Sequence, residues 1–151
     1  GLETQVAMSE ATFSVQPLTT AEQACAIPFR RRHERVEFCL ITSSRGHWLF
    51  PKGFIDPGQD PANTAVKEAY EEAGLRGQIE GQPLGCYRVP KNGSSVAVLA
   101  LLMRVRRTES EWPEHSFRQR RWVTLDQANQ LLENPQLVEL LKAAAARIAE
   151  R

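Results

Sequence analysis

"PKGFIDPGQDPANTAVKEAYEEAGL", Pro51 to Leu75, is the stretch on which the reading of this chain turns. Gly53 and Gly58, set among Pro51 and Pro57, fix or free the backbone for a specified turn rather than a passive linker. Asp60 is then placed to cap the orphan amides of a helix, Pro61 takes the favoured first helical position, and Gly74 supplies the stop. At about 100° per residue, Ala62, Ala65, Val66, Ala69, Tyr70 and Ala73 line up as one apolar stripe that must face a core. Glu68, Glu71 and Glu72 form a second stripe at i, i+3 and i+4, where exposed like charges repel by roughly a few tenths of a kcal/mol per pair. Taken alone, that face reads as solvated acid balanced by Lys67. The alternative is a hard divalent cation, which takes oxygen ligands, uses one or two carboxylates plus water, and bridges to phosphates. A stiff loop that can return a carbonyl to the acidic face favours the alternative.

Outward from this segment, the pattern predicts strands over Gln23–Arg32 and Val36–Ser44, joined by the charged "RRRHER", with "HWLF" as a short third. "GQIEGQPLGCYRV" reads as a broken fourth strand and "SSVAVLALLMRVRR" as a long fifth, whose unbroken apolar centre implies burial on both faces. "RQRRWVT" predicts a sixth. A second helical segment begins near Thr124, where Thr124 to Gln127 matches a capping box, breaks at Asn134-Pro135, and resumes to the C-terminus. Strands on both sides of a central helix, with a terminal helix, predict an α/β sandwich on a mixed β-sheet.

Length and composition narrow the function classes. The 151 residues suit one domain spanning 1–151, 42% hydrophobic and 25% charged, near the globular average. A net charge of +1 gives no bulk attraction for nucleic acid or membrane, so any polyanion site must be a local cluster. Cys25, Cys39 and Cys86 form no Cys-x-x-Cys pair and read as reduced core residues of a cytoplasmic protein. The longest apolar run, Val96 to Met103, is far short of the roughly 20 residues of a membrane helix, and no signal-like segment opens the chain. Gly1 is not an encoded start, which marks residues 1 to about 8 as a candidate appended or flexible lead, with Met8 a candidate native beginning.

From Gly53 onward the stretch resembles the Nudix hydrolase signature, G-x5-E-x7-R-E-U-x-E-E-x-G-U, with U a bulky aliphatic. Glu68, Glu71, Glu72, Gly74 and Leu75 fall on the signature's helix glutamates, glycine and final aliphatic residue, with the small Ala69 at the first U. Two positions depart. Gln59 stands for the loop glutamate and keeps its length and hydrogen-bonding capacity without its charge. Lys67 replaces the arginine and keeps the charge without the planar fork. Both are expected to orient the loop and the box. The flanks "LITSSRGHWLFPKG", "EW" at Glu111–Trp112 and "RQRRW" before "VTLDQANQLL" are similar to the diphosphoinositol polyphosphate phosphohydrolase branch, and the "PKG" entry is shared with Nudix enzymes that cleave dinucleoside polyphosphates.

The resemblance implies a Nudix-type α/β/α sandwich and hydrolysis of a phosphoanhydride in a polyphosphorylated small molecule, diphosphoinositol or diadenosine polyphosphate. It implies Mg²⁺, with Mn²⁺ as an alternative, held by Glu68, Glu71, Glu72 and the Gly53 carbonyl, and Glu71 or Glu72 as proton acceptor. The resemblance singles out Ser44, Arg45, Lys91, Arg118 and Arg120 as phosphate-binding residues, and cations concentrated at strand ends and turns, Lys52 among them, are compatible with that role. Glu109, Glu111 and Glu114 form an acidic loop in which an additional metal-binding or basic carboxylate is sought. His33, His47 and His115 lack a metal-binding spacing. No membrane or nucleic-acid partner is expected, and oligomeric state is not inferred. Competing readings are a noncatalytic phosphate-ligand-binding Nudix protein, motivated by Gln59 and Lys67, and a Nudix enzyme acting on another nucleoside diphosphate derivative or capped RNA.

Overall fold

The structure, a computed structural model, describes residues 21–150. The proposed lead over residues 1 to about 8 lies outside them. Strands β1 (Gln23–Arg32) and β2 (Arg35–Thr42) form an antiparallel hairpin in which Phe29 faces Phe38 and Arg32 faces Arg35. His33 and Glu34 make its two-residue turn with φ of 52° and 63°, the left-handed pair such a tight hairpin requires. After β2 come β3 (Trp48–Leu49), β4 (Lys52–Phe54), α1 (Pro61–Ala73), β5 (Leu75–Ile79), β6 (Gly85–Lys91), β7 (Ser94–Thr108), β8 (Arg120–Val123), α2 (Leu125–Leu131) and α3 (Pro135–Ala149).

One mixed sheet contains all of these strands. Along its main path it runs β3-β2-β1-β7-β5, with β4 paired to β1, β6 to β7 and β8 to β2. The β1–β7 pairing is parallel and the others are antiparallel. Alternation along the central strands divides the core in two. Cys25, Ile27 and Phe29 of β1 point with Val98, Ala100 and Leu102 of β7 toward Leu137, Leu141 and Ile148 of α3. Ala24 and Ala26 point the other way, with Leu99, Leu101 and Met103, toward Ala65, Ala69 and Ala73 of α1. Each large aliphatic so buried contributes about 1.5–3 kcal/mol. Alanines on both sides of the α1 interface keep helix and sheet backbones close, and that closeness positions the site.

The expected helix signals hold. Asp60 Oδ1 accepts from Asn63 N at 2.7 Å, Pro61 opens α1, and Gly74 closes it at φ 69°. Thr124 and Gln127 complete a reciprocal capping box on α2, and α3 begins at Pro135 with Asn134 as its cap. The long fifth strand of the sequence reading is β7, buried on both faces. Three details differ. The broken fourth strand is two strands, β5 and β6, both antiparallel to β7. The "PKGF" entry, expected as a turn, contains β4, stitched to β1 with Gly53 opposite Ala24. Cys25 and Cys39 are buried but Cys86 is exposed, because it alternates outward between Gly85 and the buried Tyr87.

Candidate functional site

Two elements meet at the site, the edge strand β4 and the helix α1. Pro51 O accepts from Ala26 N at 3.0 Å and Ile55 N donates to Glu22 O at 3.0 Å, so the entry loop is held by backbone hydrogen bonds on both sides of Gly53. Gly53 has no alternative residue without movement. A Cβ there would lie 2.3 Å from Glu68 Cδ and 2.6 Å from each of its carboxylate oxygens, inside any real contact. The Glu68 carboxylate is packed against the glycine's α-carbon.

Glu72 sits one turn along on the same face and is only 6% exposed. Its Oε1 accepts from the Lys52 backbone N–H at 3.2 Å, and its Oε2 lies 3.8 Å from Arg118 Nη2. Burial, and a hydrogen bond that the protonated Glu72 carboxyl donates to Glu68, push the Glu72 carboxyl up to about 8, against the opposing pull of Arg118. Glu68 is raised too, first by burial and further by the neighbouring Glu71 charge. Two carboxyl groups therefore share one partly enclosed space with less positive charge than they need, which is how paired acids come to retain a proton. Glu71 is half-buried beside them, and its backbone carbonyl accepts from Glu114 N at 3.1 Å.

A cavity of about 240 Å³ opens onto Glu72, lined also by Thr42, Ser43, Ser44, Leu49, Lys52, Phe117 and Arg118. Three of the expected phosphate-binding residues, Ser44, Lys52 and Arg118, are brought together there. Arg118 is also held by Glu114 Oε1 and by the Thr42 carbonyl, each at 2.8 Å, which fixes the guanidinium at the cavity wall. Phe117, exposed at the rim, is a lining residue that the sequence reading missed; nothing in its neighbours' pattern marks it.

The other expected positions lie elsewhere. Arg45 is exposed in the turn beside the cavity, its backbone N–H bonded to Ser43 Oγ at 3.3 Å. Lys91 is at the β6–β7 hairpin with its ammonium 5.1 Å from the centre of the Phe54 ring. Arg120 does not line the cavity: Nη1 donates to Ala73 O at 2.8 Å and to Glu109 O at 2.7 Å, and its guanidinium stacks 4.1 Å over Trp112. Gln59 is exposed in the loop with its N–H on Asp56 O, and Lys67 pairs with Asp56 Oδ2 at 3.7 Å. Of the acidic loop, Glu109 is engaged by Arg76 and Arg107, and Glu111 is exposed. Glu114 is the one that reaches the site, through Arg118 and through its repulsion of Glu68. His33 is in the hairpin turn, His47 pairs with Glu133, and His115 packs edge-on to Trp112.

Among the described residues, no three side chains from His, Cys, Asp and Glu form a ready-made metal cage. The donor set nonetheless fits a hard divalent cation. Two neighbouring carboxylates beside a glycine loop, short of compensating positive charge, match an ion that takes one or two protein carboxylates and completes its shell with water or phosphate.

Comparisons with known proteins give the family and the fold. The NUDIX domain description matches residues 19–144. Nudix hydrolase 4 of Arabidopsis thaliana is 32% identical over 130 residues, which cover 78% of this chain and 61% of that protein. Diphosphoinositol polyphosphate phosphohydrolase 3-alpha of Homo sapiens is 31% identical over 129 residues, 81% of this chain and 75% of that one. The chain thus spans about three fifths of the length of the Arabidopsis relative. Among solved structures, a C. elegans Ap4A hydrolase in a binary complex superposes with a TM-score of 0.76 at 23% identity, covering 87% of this chain and 99% of the other. The NUDIX domain of Shewanella oneidensis NrtR, complexed with ADP ribose, gives 0.68 at 18% identity, covering 91% and 92%. At those identities the two structures show a shared fold.

Proposed function

Because the chain belongs to the Nudix family, we propose that it hydrolyses a phosphoanhydride bond in a polyphosphorylated small molecule with the help of a divalent cation. The observation that carries this reading is a pair of neighbouring carboxylates, Glu68 half-buried against Gly53 and Glu72 buried on the Lys52 amide, where Glu72 lines a cavity together with Lys52 and Arg118. The named activities of relatives point to diphosphoinositol polyphosphates, and the Ap4A hydrolase that shares the fold points to diadenosine polyphosphates.

Glu68, Glu71, Glu72 and the Gly53 carbonyl would hold Mg²⁺ or Mn²⁺, which, when bound, neutralises phosphate charge and acidifies a water molecule. The remaining work falls to the chain. Lys52 orients Glu72 through its backbone N–H and itself lines the cavity, so one residue would serve both the acid and the anion. Arg118, held by Glu114 and the Thr42 carbonyl, offers a fixed cation to substrate phosphate. Ser43 and Ser44 supply hydroxyl donors at the same wall. The proton of the attacking water passes to Glu71 or Glu72; of the Glu72 oxygens, Oε1 is the one already on the Lys52 amide. Lys67 holds the loop to the helix through Asp56, so the loop keeps a tie to α1 although Gln59 carries no charge.

The test is a panel of diphosphoinositol polyphosphates, diadenosine polyphosphates, nucleotide sugars and capped RNA, each incubated with folded protein and Mg²⁺ or Mn²⁺. Turnover of one of the first two classes, abolished by chelator, is the expected result. Binding without turnover of every member would replace this reading with the ligand-binding one.

A further inference from the structure

An α-helix leaves its last carbonyls without partners inside the helix. In α1 the Gly74 N–H turns back to Tyr70 O. The next three carbonyls are taken one by one from a single later segment. Glu71 O accepts from Glu114 N at 3.1 Å, Glu72 O from the Trp112 indole Nε1–H at 2.9 Å, and Ala73 O from Arg120 Nη1 at 2.8 Å. Gly74 O accepts from Glu109 N at 2.8 Å. Arg120 lies 4.1 Å over the Trp112 ring and also holds Glu109 O, so the segment braces itself as it grips the helix. The fit is tight. A Cβ on Gly74 would come within 2.9 Å of both the Trp112 ring and Arg120 Nη1, which gives this glycine a second requirement beyond its φ of 69°.

We propose that Trp112, supported by Arg120, is a positioning residue for turnover: its indole N–H fixes the last turn of α1 and thereby the Glu72 carboxylate against β4. The reason lies in where the bond lands. The indole donates to the backbone of the residue whose side chain meets the Lys52 N–H, so a shift of that turn moves the carboxylate directly. Misplacing a reacting group by about an ångström can lower a rate by about a hundredfold. A substrate-binding role for Arg120 is replaced here by a bracing one, since Nη1 and the guanidinium face are already engaged.

The kinetic arm rests on the hydrolase reading; the second arm does not. Trp112→Phe keeps an aromatic face for Arg120 and removes only the N–H donor. In it, kcat should fall about tenfold with KM within about twofold, the split expected when orientation rather than binding is lost. Independently, hydrogen exchange at the Lys52 amide, whose acceptor is the Glu72 carboxylate, should quicken about tenfold. Arg120→Lys, which loses the stacked fork, should move both readouts in the same direction. Asn134→Ala, which removes a helix cap from α3, is the control for general loosening and should move neither. Unchanged Lys52 exchange in a folded Trp112→Phe or Arg120→Lys protein overturns the inference, whatever the kinetics. So does an equal loss of kcat in Asn134→Ala. A wild-type protein without turnover sinks the hydrolase reading alone, and Lys52 exchange still decides the positioning role.

Discussion

Glu72 is the residue on which the proposed chemistry converges, and its environment makes a sign-definite statement about stability. Burial and Glu68 raise its carboxyl to about 8 from an ordinary 4.5, and Glu68 is raised alongside it. A group raised in the folded state favours folding fully below its unfolded value and loses that contribution as pH climbs through the folded one. Metal-free protein should therefore melt at progressively lower temperature from about pH 5 to about pH 8, and added Mg²⁺ should recover the loss at the alkaline end. Thermal scans of wild type against Glu72→Gln isolate the effect, because the variant has no carboxylate at 72 to ionise. Parallel slopes for the two proteins would show that the enclosure does not penalise the charge. At the same scale, Lys67 and Asp56 make an exposed pair worth roughly 0–1 kcal/mol, too little to define the site but enough to tether a loop.

Among the elements, the decisive contact is β4 against α1. It is close because the small Ala24 and Ala26 of β1, the strand that β4 pairs with, face the small Ala65 and Ala69 of the helix. Gly53→Ala forces the new methyl into the Glu68 carboxylate and should cut turnover at least tenfold while the far core, built on α3, stays folded. Steady-state kinetics with a circular-dichroism control check this; normal activity would mean that Glu68 does not need its place against Gly53. The ends of α1 and α2 were legible in the sequence because capping is local: Asp60 reaches Asn63, and Thr124 reaches Gln127. β4 was not. Its three residues carry no strand pattern, and they become a strand only because β1, more than twenty positions away in sequence, presents an open edge. The grip of Trp112 on Glu72 was hidden for a related reason. A side chain bonded to a backbone carbonyl 40 residues away places no demand on the identity of the residue that owns it.

For the whole molecule, the near-neutral charge sent the search toward a local cationic cluster, and a small one exists at Lys52 and Arg118. Most of the strand-end arginines do not converge on it. Arg30 is engaged by Glu37 and Trp122, and Arg88 by Ser95. Residue type was enough to nominate cations, but only the sheet order decided which of them share a wall. The family was readable from Gly53, Glu68, Glu71, Glu72 and Gly74, whose spacing is itself the helix and loop geometry, and the mixed sheet from the strand patterns on either side of them. Cys86 shows the limit of composition: an apolar neighbourhood in sequence gave no warning that strand alternation turns it to solvent.

In the proposed function, the Glu68–Glu72 pair, loaded with a divalent cation, drives phosphoanhydride hydrolysis. Its most direct measurement is phosphate release from a diphosphoinositol or diadenosine polyphosphate by wild type and Glu72→Gln side by side, with and without Mg²⁺. Cation-dependent turnover by the wild type and a kcat at least about a hundredfold lower in a folded Glu72→Gln protein is the predicted result. Equal rates in the two proteins would contradict it.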